Sequence, residues 1–221
     1  SLLPAQVVRG GDVVVTNASS PAAVFRIDPS GAVLPVYSGA PLLSATGVSV
    51  ARNRDVLVTD FTSNSLFRID AQTGAISTIA GGLGGPLRVC EMLDGDFAVT
   101  SNSGHSVLRV TPTGVVTTLA SGAPFNRPFG VCSDLNGDLL VADDIGRAIH
   151  RVTPSGAISM LTTGLPLRLP QGVALFPNGD YAVIDGLVDL VFRVARATNV
   201  VSTWVPASSL GVNPEGIVTD W

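Results

Sequence analysis

The sequence predicts an all-β fold, a five-bladed β-propeller with four antiparallel strands in each blade. An aspartate recurs five times along the 221 residues, at spacings of 41 to 43 residues, and an arginine recurs in step with it. Each copy also holds four short apolar runs separated by turn residues. A period of about 42 residues with four strands per copy is typical of propeller blades. The aspartates are Asp12, Asp55, Asp96, Asp138 and Asp180, and the arginines are Arg26, Arg68, Arg109, Arg151 and Arg193.

The fourth copy shows how each element of a blade is predicted. Asn136 and Gly137 tolerate a positive φ and therefore predict a tight hairpin turn. Pro154 and Gly156 predict a second turn, because proline presets φ and glycine accepts the left-handed position. Near-continuous apolar strands fit sheets that are packed on both faces, as stacked blades require. The strands are expected at 130–133, 138–143, 148–152 and 157–161.

The two chain ends together predict how the ring closes. Residues 214–221 match the first strand of a sixth copy, and residues 10–12 supply the turn and the aspartate that come next. We therefore expect the C-terminal strand to complete the N-terminal blade of a single domain, with residues 4–8 as a weaker alternative for that strand. A chain that ends in mid-repeat also fits a segment of a larger protein. The expected blades are 10–42 with 214–221, 43–84, 85–126, 127–168 and 169–213.

Composition excludes several classes of partner. The net charge is −4 and the 13 basic residues, all arginine, are scattered, so no basic stripe predicts nucleic-acid binding. No apolar run reaches the ~18–20 residues that a membrane span needs. We expect a monomer, and the start at Ser1 favours a processed, secreted or periplasmic protein. Cys90 and Cys132 are expected as packed apolar side chains rather than as a disulfide.

Two sets of equivalent positions are polar in the repeats, and we call each set a column. The repeated Asp and Arg lie at the same end of a hairpin, so we expect ion pairs that fix its register, with a ring of anion-binding arginines as the alternative. The second column consists of the last residue of the second strand in each copy. Its side chains are expected either to bond loop amides or to contribute to a binding face. This column consists of Asn17, Asp60, Ser101, Asp143 and Asp185.

The face on which the first strand begins is the expected binding site. Loops crowd that face, and one position per copy, in the pattern Pro-x-Gly, should point into the central channel. Unlike polar groups on a rigid ring are suited to binding a small molecule or a protein segment. The channel positions are Thr46, Leu87, Phe129, Gln171 and Glu215. The loops add Asn64, His105, Asp144, Arg147 and Asp189.

A metal site on the same face is a more specific alternative. Glu215, together with Asp143 and Asp185 or with Asp60, could supply the oxygen ligands that Ca²⁺ prefers. The competing interpretation of Glu215 is a solvated loop carboxylate. His105 lies in a loop, whereas His150 lies within a strand and is expected to be a packed side chain.

The segment PFGVCSDLNGDLLVADDIGRAIHRVTPSGAIS resembles an NHL repeat, and PQGVALFPNGDYAVIDGLVDLVFRV is a second copy. More loosely, the chain resembles gluconolactonase-like, strictosidine synthase-like and streptogramin lyase-like propellers. These relatives usually have six blades. The resemblance implies functions as diverse as lactonase, lyase and protein- or RNA-binding scaffold. In gluconolactonase-like members a Glu-Gly pair supplies a metal ligand, and Glu215-Gly216 is similar to it.

Two classes of function therefore remain open. The first is a propeller scaffold that binds a small molecule or a protein partner on the loop face around the channel. The second is an enzyme, either a calcium-dependent lactonase or hydrolase or a streptogramin lyase-like protein. The sequence assigns no catalytic residue.

Overall fold

The computed structural model describes residues 8–205, and within that range it contains nineteen β-strands and no helix. The strands form five antiparallel sheets arranged in a ring, one for each repeat. The fold is therefore a five-bladed β-propeller, as predicted. The strands are β1 (Val13–Asn17), β2 (Ala23–Ile27), β3 (Val33–Ser38), β4 (Ala45–Val50), β5 (Val56–Asp60), β6 (Ser65–Ile69), β7 (Ile76–Gly81), β8 (Pro86–Glu91), β9 (Phe97–Ser101), β10 (Ser106–Val110), β11 (Val116–Ser121), β12 (Pro128–Ser133), β13 (Leu139–Asp143), β14 (Ala148–Val152), β15 (Ile158–Thr163), β16 (Pro170–Leu175), β17 (Tyr181–Asp185), β18 (Leu190–Val194) and β19 (Val201–Val205).

Strands follow chain order within every blade. Blades two to five each have four strands, and blade one has β1, β2 and β3 within the described residues. The inner strands β4, β8, β12 and β16 contact one another in turn, and β1 contacts β4. The expected closing strand at 214–221 lies outside the described residues, as do residues 4–7 of its alternative. We call the end of the ring where the inner strands begin the upper face, and the opposite end the lower face.

The core lies between neighbouring blades. All five residues of β5, β9, β13 and β17, the second strands of blades two to five, are buried, because each strand packs against a blade on either side. Among the described residues, apolar side chains form one cluster at each of the four boundaries from blade one to blade five, for example Leu57 of blade two with Val99 of blade three. Burial on both faces is the reason that these strands carry continuous rather than alternating apolar residues.

The repeated Asp–Arg pairs form ion pairs on the lower face in all five blades, which confirms the structural interpretation. Asp12 lies two residues before Val14, the partner of Arg26 in the β1–β2 register, so acid and base are diagonal neighbours. The nitrogen–oxygen distances are 2.8 Å for Arg26 and Asp12, 3.8 Å for Arg68 and Asp55, 2.5 Å for Arg109 and Asp96, and 3.6 Å for Arg151 and Asp138, and Arg193 pairs with Asp180 in the same way.

Other local predictions can be checked against the same strands. Asn199 adopts φ 55°, the left-handed position that glycine takes in the other copies of this turn. Cys90 and Cys132 are free thiols, and burial raises the pKa of Cys90 to about 12. No helix long and apolar enough to cross a membrane occurs in the part of the chain that the structure describes.

Candidate functional site

The central channel widens into a cavity at each face of the ring. The upper cavity, which we call the upper funnel, has a volume of about 710 Å³, and the lower one about 630 Å³. Valines from every blade line both cavities, so an apolar waist separates them. These valines are Val13, Val14, Val48, Val89, Val131 and Val173.

A β-bulge in each complete inner strand turns side chains into the upper funnel. The strand register skips one residue at Thr46, Phe129 and Gln171. An extra unpaired residue of this kind re-aims its side chain. The glycine that follows permits the neighbouring inner strand to approach closely, since a Cβ at Gly47 would lie 2.4 Å from the carbonyl oxygen of Leu87.

Blade three breaks this pattern and places an arginine in the channel. Arg88 takes the glycine position, and the register skips both Leu87 and Arg88. The Arg88 guanidinium carbon lies 4.8 Å from the centroid of the Phe129 ring, a cation–π contact between blades three and four. Its Nη1 donates to the carbonyl oxygens of Thr46 at 2.5 Å and Leu87 at 3.1 Å. The guanidinium stacked on the phenyl ring, which we call the platform, therefore links blades two, three and four at the channel mouth.

A buried hydroxyl fixes the two halves of this platform. The Oγ1 of Thr100, on β9, accepts the backbone N–H of Arg88 at 3.0 Å and donates to the carbonyl oxygen of Phe129 at 2.7 Å. Thr100 is fully buried. The Thr100 hydroxyl thus gives the Arg88 N–H the hydrogen-bond partner that it loses at the bulge. It also links the inner strands of blades three and four.

The structure brings four predicted channel residues together in the upper funnel: Thr46, Leu87, Phe129 and Gln171. Asn17 also lines it, although its Oδ1 accepts the N–H of Ser19. The side-chain amide of half-buried Gln171 makes no hydrogen bond with any residue between 8 and 205. Glu215, the fifth predicted channel residue, lies outside the described residues.

The carboxylates that end the second strands are not among the residues that line the upper funnel. Asp60, Asp143 and Asp185 are fully buried, and each accepts three backbone N–H groups. Those donors belong to the loop between blades and to the loop after the second strand. Each carboxylate therefore ties two upper-face loops together, as the structural interpretation of the column predicts.

The calcium hypothesis stays a prediction, because Glu215 lies outside the described residues. Asp143 and Asp185 each already accept three N–H groups, which leaves about one of a carboxylate's four or so lone pairs for a cation. The described residues contain no group of three or more His, Cys, Asp or Glu side chains that could hold a metal.

The predicted loop residues share a backbone conformation, but they do not line the upper funnel. Asn64, His105, Arg147 and Asp189 occupy one turn position and all have positive φ, between 43° and 59°. Asparagine and aspartate favour this region more than other side chains do. His105 and Arg147 are exposed on the rim, and neither lines the upper funnel.

Asp144 is a buried carboxylate paired with an arginine in the loop that enters its own blade. The Arg127 Nε donates to Oδ1 of Asp144 at 2.7 Å, and Nη2 donates to the other oxygen. The Asp144 carboxylate raises the pKa of Arg127. A bidentate pair of this kind fixes the loop that enters β12, the strand that carries Phe129.

His150 is a packed side chain, as predicted. It is 1% exposed, its ring meets Phe125 edge to face at 5.3 Å between centroids, and neither ring nitrogen has a hydrogen-bond partner in the part of the chain that the structure describes. Burial lowers the pKa of His150, although the Asp143 carboxylate, 3.8 Å away, opposes this shift. The equivalent residue in three other blades is Phe25, Phe67 or Phe192.

Sequence reasoning placed Leu87, not Arg88, in the channel. The signal that could have identified Arg88 is the break in Pro-x-Gly, because an arginine stands where the other copies have glycine. A bulky cation at a position of close strand approach must either distort the strand or enter the channel.

Solved structures share this architecture. Virginiamycin B lyase from Staphylococcus aureus is similar at 20% identity, with a TM-score of 0.75 over 94% of this chain and 71% of its own. A putative gluconolactonase is similar at 17% identity, with a TM-score of 0.72 over 96% of this chain and 82% of its own. A chain of a nidogen–laminin complex is similar at 14% identity, with a TM-score of 0.66 over 94% of this chain and 98% of its own.

At the level of sequence, no protein-family model matches the chain, and no curated protein matches it significantly. The resemblance to NHL repeats therefore stays a prediction. The structural likenesses show the fold, a β-propeller of the kind found in lyase, gluconolactonase-like and laminin-complex proteins.

Proposed function

We propose that this protein binds a small planar molecule in the upper funnel. The observation that carries the proposal is the platform of Arg88 and Phe129, with the side-chain amide of Gln171, which bonds no residue between 8 and 205, on the neighbouring blade. A flat ligand stacks favourably on the free face of a guanidinium or of a phenyl ring. An amide in a partly desolvated cavity favours a ligand that carries a carbonyl or carboxylate oxygen and a donor group.

The cavity itself supports a small ligand rather than a macromolecule. Its volume of about 710 Å³ lies in the range of small-molecule sites. The valine waist offers an apolar floor, and the polar groups lie above it. This division suits a ligand with an apolar ring at one end and a polar group at the other.

The test is a panel of benzamide, benzoate and their cyclohexane analogues, measured by saturation-transfer NMR. We expect the aromatic compounds to bind and the saturated analogues to bind more weakly, because only the aromatic rings stack. Arg88→Gly, which restores Pro-x-Gly, and Gln171→Leu should both weaken binding. Arg54→Gly is the matched control, because Arg54 lines the lower cavity. Equal binding of the aromatic and the saturated compounds would contradict the proposal. Binding that is unchanged in Arg88→Gly would also contradict it.

The same samples also test for an enzyme. The lyase and gluconolactonase-like neighbours share the fold alone, and a common fold does not carry an activity with it. We therefore infer binding, from the groups that line the funnel, and leave turnover to be measured by mass spectrometry of each bound compound. Bond cleavage that Arg88→Gly abolishes would make the binding site an active site.

A further inference from the structure

A strip of exposed side chains runs along the upper rim of blades four and five. We call it the rim strip, and it consists of Ile145, Arg147, Leu165, Arg168 and Leu187. Leu165, Leu187 and Ile145 are 75%, 61% and 49% exposed. The guanidinium groups of Arg147 and Arg168 form no hydrogen bond or ion pair with any residue between 8 and 205.

Backbone contacts make the rim strip continuous. The residue before Leu165 donates its N–H to the carbonyl oxygen of Arg147 at 3.0 Å, so the two side chains start from adjoining strand ends. Further along, the Asp185 carboxylate accepts the N–H of Arg168 at 2.6 Å and that of Leu187 at 3.1 Å. The buried carboxylate thus holds a cationic and an apolar residue next to each other on a fixed frame.

The fold does not require apolar residues at these positions. Ile145 and Leu187 occupy the same loop position in blades four and five, and blades two and three have Thr62 and Ser103 there. Those blades fold the same turn with a polar side chain. The exposed isoleucine and leucine therefore depart from the repeat without a structural reason, and exposed apolar clusters of this kind mark interaction surfaces.

The charge of the rim strip identifies its partner. Asp143, Asp144 and Asp185 lie buried beneath it and are already bonded, and Asp189, half-buried, has an interaction of its own. The surface is therefore cationic and apolar on a chain whose net charge is −4. Arginines next to exposed apolar side chains are typical of protein interfaces and bind carboxylates bidentately.

We propose that the rim strip docks an acidic segment of a partner protein. Its carboxylates pair with Arg147 and Arg168, and its apolar side chains cover Leu165 and Leu187. An anionic membrane would also meet arginine and leucine, but membrane-binding clusters usually carry about four or more basic residues, and the rim strip has Arg147 and Arg168 alone. This surface lies outside the upper funnel, so the proposal does not depend on the small-molecule site.

The test selects binders from a random peptide library displayed on phage, with the intact protein as bait. Enriched peptides should combine carboxylates with a large apolar residue. Their affinity, measured by fluorescence anisotropy, should fall at least about tenfold for the double variant Arg147→Glu, Arg168→Glu, and also for Leu187→Ser. Arg54→Glu is the matched control, because Arg54 is also exposed, with φ 71° against 52° for Arg147, on the opposite face.

Three outcomes would overturn the proposal. One is that no peptide is enriched, or that enriched peptides show no excess of carboxylates. Another is that Arg54→Glu weakens binding as much as the double variant does. The third is sedimentation of the wild-type protein, but not of the double variant, with vesicles of anionic phosphatidylserine in the absence of peptide binding, which would assign the rim strip to a membrane surface.

Discussion

The guanidinium of Arg88 lies over the ring of Phe129, with 4.8 Å between its carbon and the ring centroid, across the boundary of blades three and four. Arg88 stands where a glycine stands in the four other copies, so the contact exists because one repeat departs from the pattern. The regular blades hold the two strands in place, and the departure supplies the chemistry of the channel mouth.

Thr100 should act as a positioning residue for this platform. Thr100→Val keeps the shape but removes the acceptor of the Arg88 N–H and the donor to the Phe129 carbonyl. We expect a loss of about 1–3 kcal/mol in the free energy of unfolding, measured in urea, and weaker binding of benzamide-type ligands. Thr100→Ser retains the hydroxyl and should restore both. If the valine variant binds as the wild type does, the hydroxyl has no role in the site.

Asp185 should be essential for the upper-face loops. Asp185→Ala removes a fully buried acceptor of three backbone N–H groups, so we expect a loss of at least about 3 kcal/mol in the free energy of unfolding. The control is Asn17→Ala, the same column in blade one, where the side chain is exposed and bonds a single N–H. Its effect should stay within about 1 kcal/mol. Similar losses in both variants would show that the buried carboxylate does not hold the loops.

His150→Phe should stabilise the protein. The histidine is buried with both ring nitrogens unpartnered, and three other blades have phenylalanine in its place. Removing an unsatisfied buried polar group from a site that suits an aromatic ring should raise the free energy of unfolding by about 1–3 kcal/mol. A lower free energy of unfolding for His150→Phe, measured in urea, would mean that ordered water satisfies the nitrogens and that the larger ring does not fit.

The same histidine predicts how stability depends on pH. Burial holds the pKa of folded His150 below the ordinary value of 6.5, so the unfolded chain binds a proton more readily. The resulting loss in the free energy of unfolding is absent above pH 6.5 and grows as the pH falls through that value. Urea unfolding between about pH 7.5 and pH 5 should therefore show falling stability in the wild type and a smaller fall in His150→Phe.

Asp180 titrates in a different pH window from His150. The backbone N–H of Arg196 and the Arg193 guanidinium hold the pKa of Asp180 below 3.8. The stability from this ion pair is therefore present above 3.8 and is lost only at more acidic pH. Equal slopes for the wild type and His150→Phe in the higher window would contradict the assignment to histidine.

The sequence could predict everything that repeats. The period identified the propeller, and the five Asp–Arg pairs, the channel positions of Phe129 and Gln171 and the packed His150 could each be inferred from their column. What it could not predict depends on contacts between blades. Arg88 stacks on a residue about forty positions away in the chain, and the exposure of Leu187 depends on loops that no local pattern describes.

The central claim is that the upper funnel binds a small planar molecule through Arg88. The most direct measurement is a calorimetric titration of the tightest aromatic compound from the NMR panel into the wild type, Arg88→Gly and Arg54→Gly. We expect Arg88→Gly to raise Kd at least about tenfold, or ~1.4 kcal/mol, and Arg54→Gly to leave it unchanged. A Kd for Arg88→Gly within about twofold of the wild-type value would show that Arg88 does not hold the ligand.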